Sequence, residues 1–295
     1  MIYLVDGPVY VFRGWFALPD SILSPSGEAA NAFRGFADFL MRLLEHTGEA
    51  PVAVAFDESL THCFRNEIHA AYKASREMPP PELERQFVWC RQLCRAMGVM
   101  ELASERFEAD DLIASLANIA RRDGQAVTVV SRDKDLIQVL RPGDHLLAGP
   151  GEKDRDYATL ATELGFAPER MSEVQALTGD PIDDIPGVPG IGQKTAARLM
   201  THFPDLESLY ADIDQHGAMA LEGLKLRGQA RIMRLLIEHR DSVFQARRLT
   251  RLYTDLDLPR PGAGQREHDQ EALALLDREA GLGGRLREKW LNRGK

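Results

Sequence analysis

Glu108-Ala109-Asp110-Asp111 opens a stretch that runs through Leu112–Arg122 and Ala126-Val127-Thr128-Val129-Val130-Ser131 to Asp133-Lys134-Asp135. Leu112, Ile113, Leu116, Ile119 and Ala120 recur at helical spacing, which predicts an amphipathic helix. Val127–Val130 is a short β-branched run, the pattern of a strand buried on both faces. Carboxylates therefore stand at the start of a helix and just past the carboxyl end of a strand, the edge at which open α/β sheets bind ligands. Acids so close together repel one another unless divalent cations neutralise them. The alternative reading takes Glu108, Asp110 and Asp111 as helix N-terminal acids favoured by the helix dipole. This stretch alone does not separate the two.

The rest of the chain supplies more such acids. Ile2–Val5 reads as an apolar strand ending at Asp6-Gly7, and Val52–Phe56 as another ending at Asp57. With Asp133, three apolar strands each deliver an aspartate at or beyond the carboxyl end, which points to one acidic pocket on a largely parallel α/β sheet. Between them, helical patterns cover Glu28–His46, Thr61–Arg76 and Glu82–Met97, the last two separated by Met78-Pro79-Pro80-Pro81. Arg65, Lys73, Arg76 and Arg85 offer cations in this region; the default for such residues is a solvated helix surface. After Asp135, Leu136–Leu140 reads as a short helix and Leu146–Lys153 as a strand and turn. From Tyr157 the pattern is helical, with Pro168–Gly179 as one helix. A Pro/Gly loop, Pro259–Gly264, and two short helices ending at Trp290 close the chain.

With 295 residues and 44% hydrophobic content, the chain suits one large or two small domains. No apolar run reaches the roughly 20 residues that span a bilayer. The acid at position 6 and the absence of an N-terminal basic segment make the start a strand rather than a signal peptide. Cys63, Cys90 and Cys94 suggest buried thiols, not a disulfide framework or a zinc set. A cytoplasmic monomer with no membrane partner is expected. The net charge of -9 argues against nucleic acid unless the acids are concentrated at a metal site.

Pro186-Gly187-Val188-Pro189-Gly190-Ile191-Gly192-Gln193-Lys194-Thr195 precedes a helical pattern over Ala196–His202. A phosphate-binding P-loop would need Lys where Gln193 stands, and a preceding buried strand. The better reading is a helix-hairpin-helix. Gly187, Gly190 and Gly192 would supply positive φ and close backbone approach. The outward N–H groups of the next helix, with Lys194 and Thr195, would then hold a DNA phosphate without reading base sequence. A plain Gly-rich turn is the alternative.

Taken together, these pieces resemble the 5′-nuclease (flap endonuclease) family. The likeness is greatest to the 5′-nuclease domain of bacterial DNA polymerase I and to stand-alone bacterial 5′–3′ exonucleases. It covers roughly residues 2–255 and rests on motifs in order: Val5-Asp6-Gly7 with Phe12-Arg13, Val54-Ala55-Phe56-Asp57, Phe64-Arg65, Tyr72-Lys73-Ala74-Ser75-Arg76, Glu108-Ala109-Asp110-Asp111, Ser131-Arg132-Asp133-Lys134-Asp135, and Ala176-Leu177-Thr178-Gly179-Asp180 with the Gly-rich hairpin. The resemblance implies a mostly parallel α/β sheet flanked by helices, of PIN-like or resolvase-like type, over 1–165. A helical gateway or arch near 61–97, a helix-hairpin-helix region over 166–255 and a C-terminal helical segment over 256–295 complete the expected organisation.

The resemblance further implies a two-metal centre held by Asp6, Asp57, Glu108, Asp110, Asp111, Asp133, Asp135, Asp180 and Asp183. Every one of these nine positions carries a carboxylate, matching the net charge in number. Two Mg²⁺ ions, with Mn²⁺ as a substitute, are the implied cofactors. Lys73 and Arg76 would act on the scissile phosphate alongside Asp110, Asp111, Asp133 and Asp135. Arg13, Tyr72, Lys73 and Arg76 would contact the 5′ strand, and Gly190, Ile191, Gly192, Gln193, Lys194 and Thr195 the duplex. A K⁺ ion is implied at the main-chain carbonyls of Leu177, Thr178, Pro186, Val188 and Ile191. The implied substrate is DNA with a 5′ flap or a free 5′ end on a duplex, hydrolysed to 5′-phosphate products. Asp184 departs from the family's usual Asn, and the extra charge could perturb the second metal or the hairpin's approach to DNA; the sequence does not fix its effect. No polymerase region follows Lys295, so a free-standing enzyme is expected. The rivals are a non-catalytic DNA-structure-binding protein and a PIN-like ribonuclease.

Overall fold

The computed structural model describes residues 1–59, 62–260, 262 and 268–292. Thr61, and all of the Pro259–Gly264 loop after Arg260 except Gly262, lie outside the described residues. Six strands form one sheet: β1 (Ile2–Asp6), β2 (Val52–Asp57), β3 (Met100–Ser104), β4 (Val127–Val130), β5 (His145–Leu147) and β6 (Arg155–Asp156). Their order is β3-β2-β1-β4-β5-β6, parallel throughout except for the antiparallel β5–β6 pair. The mostly parallel α/β architecture expected from the sequence is therefore present.

The helices within this half are α1 (Gly7–Ala17), α2 (Asn31–Thr47), α3 (Arg65–Ile68), α4 (Pro81–Ala96) and α5 (Ala109–Arg122). Past β6, every named element among the described residues is helical: α6 (Tyr157–Leu164), α7 (Met171–Thr178), α8 (Gln193–His202), α9 (Leu206–His216), α10 (Gln229–Glu238), α11 (Arg240–Thr250), α12 (Gln270–Ala280) and α13 (Gly284–Asn292), with short 3₁₀ turns between. No helix among the described residues is long and apolar enough to cross a membrane.

Two apolar cores lie on the two faces of the sheet. Leu4, Ala53 and Val129 look toward α5 and share one core with Leu177, Leu199, Leu236 and Leu249 of the later helices. Val5, Val54 and Val130 look toward Phe33, Phe36, Leu93 and, from the C-terminal helices, Leu276 and Trp290. Alternation of side chains across the strands produces this division. The first core runs unbroken past residue 165, so the helical region is seated on the sheet's face. The three cysteines are buried free thiols.

Several elements differ from the sequence reading. Strand β3 was not anticipated, because Met100-Glu101-Leu102-Ala103-Ser104 is a half-buried edge strand with no β-branched run. The helix expected over Thr61–Arg76 shrinks to α3. Asn66 accepts the Cys63 N–H at 2.8 Å and donates to the Tyr72 carbonyl at 2.9 Å, which replaces helical bonds with a turn. Lys73 then takes φ 55°, outside any helix. Pro168–Gly179 divides into a 3₁₀ turn, Pro168–Arg170, and α7, and Gly179 leaves the helix at φ 74°.

The hairpin is built on close backbone approach. A methyl group placed on Gly187 would sit 2.2 Å from the carbonyl carbon and oxygen of Thr178. Gly190 has φ 90°, as a turn glycine requires. Gly192 is a correction: its φ is -96° and nothing lies within 4 Å of where a Cβ would stand. We therefore expect Gly187→Ala to cost about 2–4 kcal/mol, because backbone must move to admit the methyl. Gly192→Ala should cost under about 1 kcal/mol, the range of an N-cap exchange. Urea midpoints of the two variants check this; equal losses would contradict it.

Candidate metal and nucleic-acid site

The sheet order reverses between β1 and β4, so a crevice opens at their carboxyl ends. Asp6 is the last residue of β1, Asp57 the last of β2, and Asp133 and Asp135 follow β4. Glu108 caps α5 and Asp110 lies in its first turn. These six acids, with Asp180 and Asp183 from the turn before the hairpin, line one cavity of about 630 Å³. Eight of the nine carboxylates thus face a common space.

Local hydrogen bonds explain why the backbone tolerates so many acids there. The Ser131 hydroxyl donates to Asp6 at 2.7 Å and accepts the Asp133 N–H at 2.9 Å. Asp133 accepts the Asp135 N–H at 2.9 Å, and Asp57 the Ala109 N–H at 2.7 Å. Gln175 donates its amide to Asp135 at 2.6 Å. Lys134 reaches Asp180 at 3.0 Å, Arg76 pairs with Asp183, and Lys73 with Glu108. Among the described residues no three carboxylate, imidazole or thiol groups close on a single point. The acids ring the cavity, and cations of the chain hold three of them.

Electrostatics mark the deepest acids. Burial pushes Asp6 up to about 7, with Asp133 and Asp57 adding to it against the Ser131 hydrogen bond. Burial raises Asp135 to about 7 as well, and Asp133 and Asp180 reinforce the rise. Asp57 rises to about 6 through burial and the charge of Glu108. Asp110 is raised as well, by burial and then by Asp6, Asp133, Asp135 and Asp57 together. Burial also works upward on Glu108, but Lys73 and Arg65 outweigh it and bring the carboxyl down to about 2. Glu108 and Asp183 in turn outweigh burial at Lys73 and lift it to about 12.

A raised acid is stabilising only while it keeps its proton. Protons held by Asp6, Asp57 and Asp135 in the folded chain leave at lower pH once it unfolds. Their contribution is complete below the ordinary aspartate range near 4 and is lost as pH climbs to about 7. The melting temperature of the protein in EDTA should therefore fall between pH 5 and 8. A divalent cation that these acids hold must displace those protons, so Mg²⁺ should raise the melting temperature by about 5 °C or more at pH 8 and far less at pH 5.5. Thermal melts at both pH values check this; an equal shift would count against the acids as metal ligands.

Two of the expected residues are buried and engaged by the chain's own groups. Asp111, read with the metal and catalytic acids, does not line the cavity. It is fully buried and accepts both Arg65 terminal nitrogens, at 2.7 and 2.8 Å, together with the Tyr253 N–H at 2.7 Å. It also closes a reciprocal capping box with Glu108. The Glu108-x-x-Asp111 spacing is the signal that could have revealed this. Tyr72, expected to contact DNA, is 4% exposed and gives its hydroxyl to Glu108 at 3.0 Å. It lines the same cavity and supports one of its acids.

Other expected residues fall where a ligand could reach them. Lys73 and Arg76 line the cavity beside Phe12, Trp15, Phe16 and Met78, which form an apolar wall. Arg13 lies outside it, 4.0 Å from Glu152. Asp184 also lies outside, at φ 56°, and accepts the Ser75 N–H at 2.8 Å. It joins the turn before the hairpin to the turn that carries Lys73.

At the hairpin, helix α8 begins at Gln193 and not at Ala196, because Gly192 serves as its N-cap. The N–H groups of Gln193 and Lys194 therefore belong to an exposed first turn with open space ahead of it. Ile191 is buried and holds the turn through its N–H to the Val188 carbonyl, 3.0 Å away. Thr195 bonds back to Gly192 at 2.9 Å. The Val188 N–H meets the Leu177 carbonyl at 2.9 Å, so the carbonyls of Leu177, Thr178, Pro186 and Val188 stand on the two sides of the close approach at Gly187.

Arg65, part of the Phe64-Arg65 motif, has a structural role that the sequence did not assign. It is 1% exposed and binds Asp111, Glu108 and the carbonyls of Leu249 and Arg251. It links the acidic end of α5 to the last turn of α11.

Comparison with known proteins gives a consistent result. A family described as 5′-3′ exonuclease, N-terminal resolvase-like domain, matches residues 1–165, and one described as 5′-3′ exonuclease, C-terminal SAM fold, matches 166–269. DNA polymerase I of Rhizobium leguminosarum is 36% identical over 264 residues, which are 87% of this chain and 25% of that protein. DNA polymerase I of Bacillus subtilis is 35% identical over 258 residues, 86% of this chain and 28% of that protein. The chain thus spans about a quarter of the length of these polymerases. Among solved structures, the zinc-bound T5 5′-exonuclease superposes with a TM-score of 0.66 at 19% identity, covering 98% of this chain and 96% of that one. The catalytic core of Rad2 in complex with DNA substrate does so at 0.64 and 15%, covering 98% and 90%. At such identities these two structures bear on the fold alone.

Proposed function

The chain belongs to the 5′–3′ exonuclease family, and on that premise we propose that it hydrolyses DNA phosphodiesters near a 5′ end, as a structure-specific 5′–3′ exonuclease and 5′-flap endonuclease. The observation that carries this reading is the convergence of eight carboxylates, four of them raised by burial and mutual repulsion, on a cavity that also holds Lys73 and Arg76. An all-oxygen donor set of this charge fits hard divalent cations. Asp6, Asp57, Glu108, Asp110, Asp133 and Asp135, with Asp180 and Asp183 on the hairpin side, would hold two Mg²⁺ ions. Bound there, such ions polarise the phosphodiester and supply a hydroxide nucleophile at neutral pH. In our reading Asp111 positions Glu108 and Arg65 and is not itself a ligand.

The chain's own groups divide the remaining work. Lys73 and Arg76 leave their acids to face the scissile phosphate and balance charge that builds on it. Phe12, Trp15 and Phe16 offer an apolar wall for unpaired bases. The exposed first turn of α8, with Gln193, Lys194 and Thr195, holds a backbone phosphate of the duplex arm. Carbonyls of Leu177, Thr178, Pro186, Val188 and Ile191 would accept a K⁺ ion at the same hairpin. The division into a nuclease domain over 1–165 with a gateway near 61–97, a hairpin region over 166–255 and a C-terminal segment is part of this proposal, as is action as a monomer.

The test is a 5′-flap duplex labelled at both ends, incubated with Mg²⁺ or with EDTA, beside an Asp133→Asn preparation. Mg²⁺-dependent release of short 5′ fragments by the unaltered chain and not by the variant is expected. Tight flap binding without cleavage would favour a non-catalytic DNA-structure-binding protein. Cleavage confined to RNA would favour a PIN-like ribonuclease.

A further inference from the structure

Residues 223–237 carry Lys225, Arg227, Arg231 and Arg234 and no acid, in a chain whose net charge is -9. All four are exposed. Arg231 and Arg234 lie one turn apart on the solvent face of α10, while Ile232, Met233 and Leu236 fill the core behind them. Such spacing keeps both guanidinium groups on one face. Arg227 precedes the helix, before Gly228 turns the chain at φ 77°. Among the described residues no carboxylate pairs with Arg227, Arg231 or Arg234; acids of the preceding helix α9 are engaged elsewhere, Asp214 with Arg240 and Glu207 with Arg247.

This cationic strip is fixed against the hairpin. A methyl group built on Gly190 would lie 3.0 Å from the Arg231 Nη2, so that guanidinium sits at the hairpin's own turn. Arg198, one turn beyond Lys194 on α8, donates to the Lys225 carbonyl at 3.1 Å and ties α8 to the loop ahead of α10. The Gln229 amide donates to the Leu221 carbonyl at 2.9 Å and anchors the start of α10. Exposed cations therefore continue from the hairpin helix through the loop and along α10 without an intervening acid pair.

We propose that Arg227, Arg231 and Arg234 form a second phosphate-binding track, which grips the backbone of the duplex arm beyond the phosphate held at Gln193–Thr195. The proposal rests on the nuclease reading above and deepens it. Arginine suits the task because its guanidinium is always charged and forks onto phosphate oxygens. The occupant is a nucleic-acid duplex and not an acidic protein. The hairpin and the strip are one continuous surface, and a duplex presents phosphates at regular spacing along such a surface.

The test measures fluorescence anisotropy of a flap substrate with the full chain, in EDTA so that nothing is cut, across a series of salt concentrations. The triple variant Arg227→Gln, Arg231→Gln, Arg234→Gln is compared with the unaltered protein, each first checked for an unchanged melting temperature. The slope of log affinity against log salt should fall by roughly 2–3 in the variant, and affinity near 0.1 M salt by roughly 10- to 100-fold. Shortening the duplex arm on the hairpin side should weaken the unaltered protein and leave the variant nearly unaffected. A variant that keeps both the affinity and the slope overturns the track while leaving the nuclease reading standing. If the unaltered protein shows no salt-dependent DNA binding at all, both fall together.

Discussion

Asp110→Asn is expected to lower Mg²⁺-dependent cleavage of a 5′-flap substrate by about 10³-fold, equivalent to roughly 4 kcal/mol of barrier. The same change should raise the melting temperature in EDTA at alkaline pH, where Asp110 would otherwise lose its proton and repel its neighbours. Asp110 is the acid on which burial and the charges of Asp6, Asp133, Asp135 and Asp57 bear together. An amide in its place never ionises, which spares each of those neighbours a charge at alkaline pH and preserves the side chain's shape. The hydrogen bonds around the cluster run through Ser131, Ala109 and Gln175, none of which bonds to Asp110, so the fold has no cause to change. A protein that becomes more stable as it loses activity is one whose site stores repulsion for a purpose. The Mg²⁺-induced rise in melting temperature should shrink in the variant as well. Single-turnover cleavage and paired melts with and without Mg²⁺ decide the matter. Near-normal cleavage, or a lower melting temperature in EDTA at alkaline pH, would remove Asp110 from the centre of the site.

These opposite effects show which parts of the site could be read directly from sequence. Asp6, Asp57 and Asp133 were legible because each follows an apolar strand, and parallel strands bring their carboxyl ends to one edge whatever their order. Asp180 and Asp183 were placed only by resemblance, since nothing local says that the turn before the hairpin folds back over the sheet. Asp110 and Asp111 are adjacent, and composition cannot tell them apart; one looks into the cavity and the other into the core because successive helical residues diverge by about 100°. Strand β3 escaped notice because an edge strand has one partner and needs less apolar surface. The Thr61–Arg76 segment misled for another reason. Its helical pattern is genuine, but Asn66 and the buried Arg65 form stronger long-range and side-chain bonds than a helix could offer.

Arg65→Met should destabilise the protein by about 3–5 kcal/mol, read from the urea midpoint at constant slope. The guanidinium is 1% exposed and Asp111 is 0% exposed, so removing one leaves the other charged in the core. Methionine keeps the apolar stem packed, so most of the loss comes from electrostatics and hydrogen bonds. The Leu249 and Arg251 carbonyls would lose their donor at the same time, at 2.7 and 3.3 Å. Lysine should rescue little, because a single ammonium cannot fork across both Asp111 oxygens while also reaching the end of α11. Pairing Arg65→Met with Asp111→Leu should recover at least half of the loss, since no buried charge then remains alone. That recovery distinguishes an ion pair from a simple packing defect, and it has a consequence for the site. Arg65 also holds Glu108 at 2.7 Å, so the double variant, though stable, leaves Glu108 with Lys73, Tyr72 and the backbone N–H of residue 111 to orient it. Its Mg²⁺ requirement for cleavage should shift upward while its fold persists. If instead the single variant were as stable as the unaltered chain, Asp111 would have to be finding another partner or a proton, and its exclusion from the metal ligands would lose its physical ground.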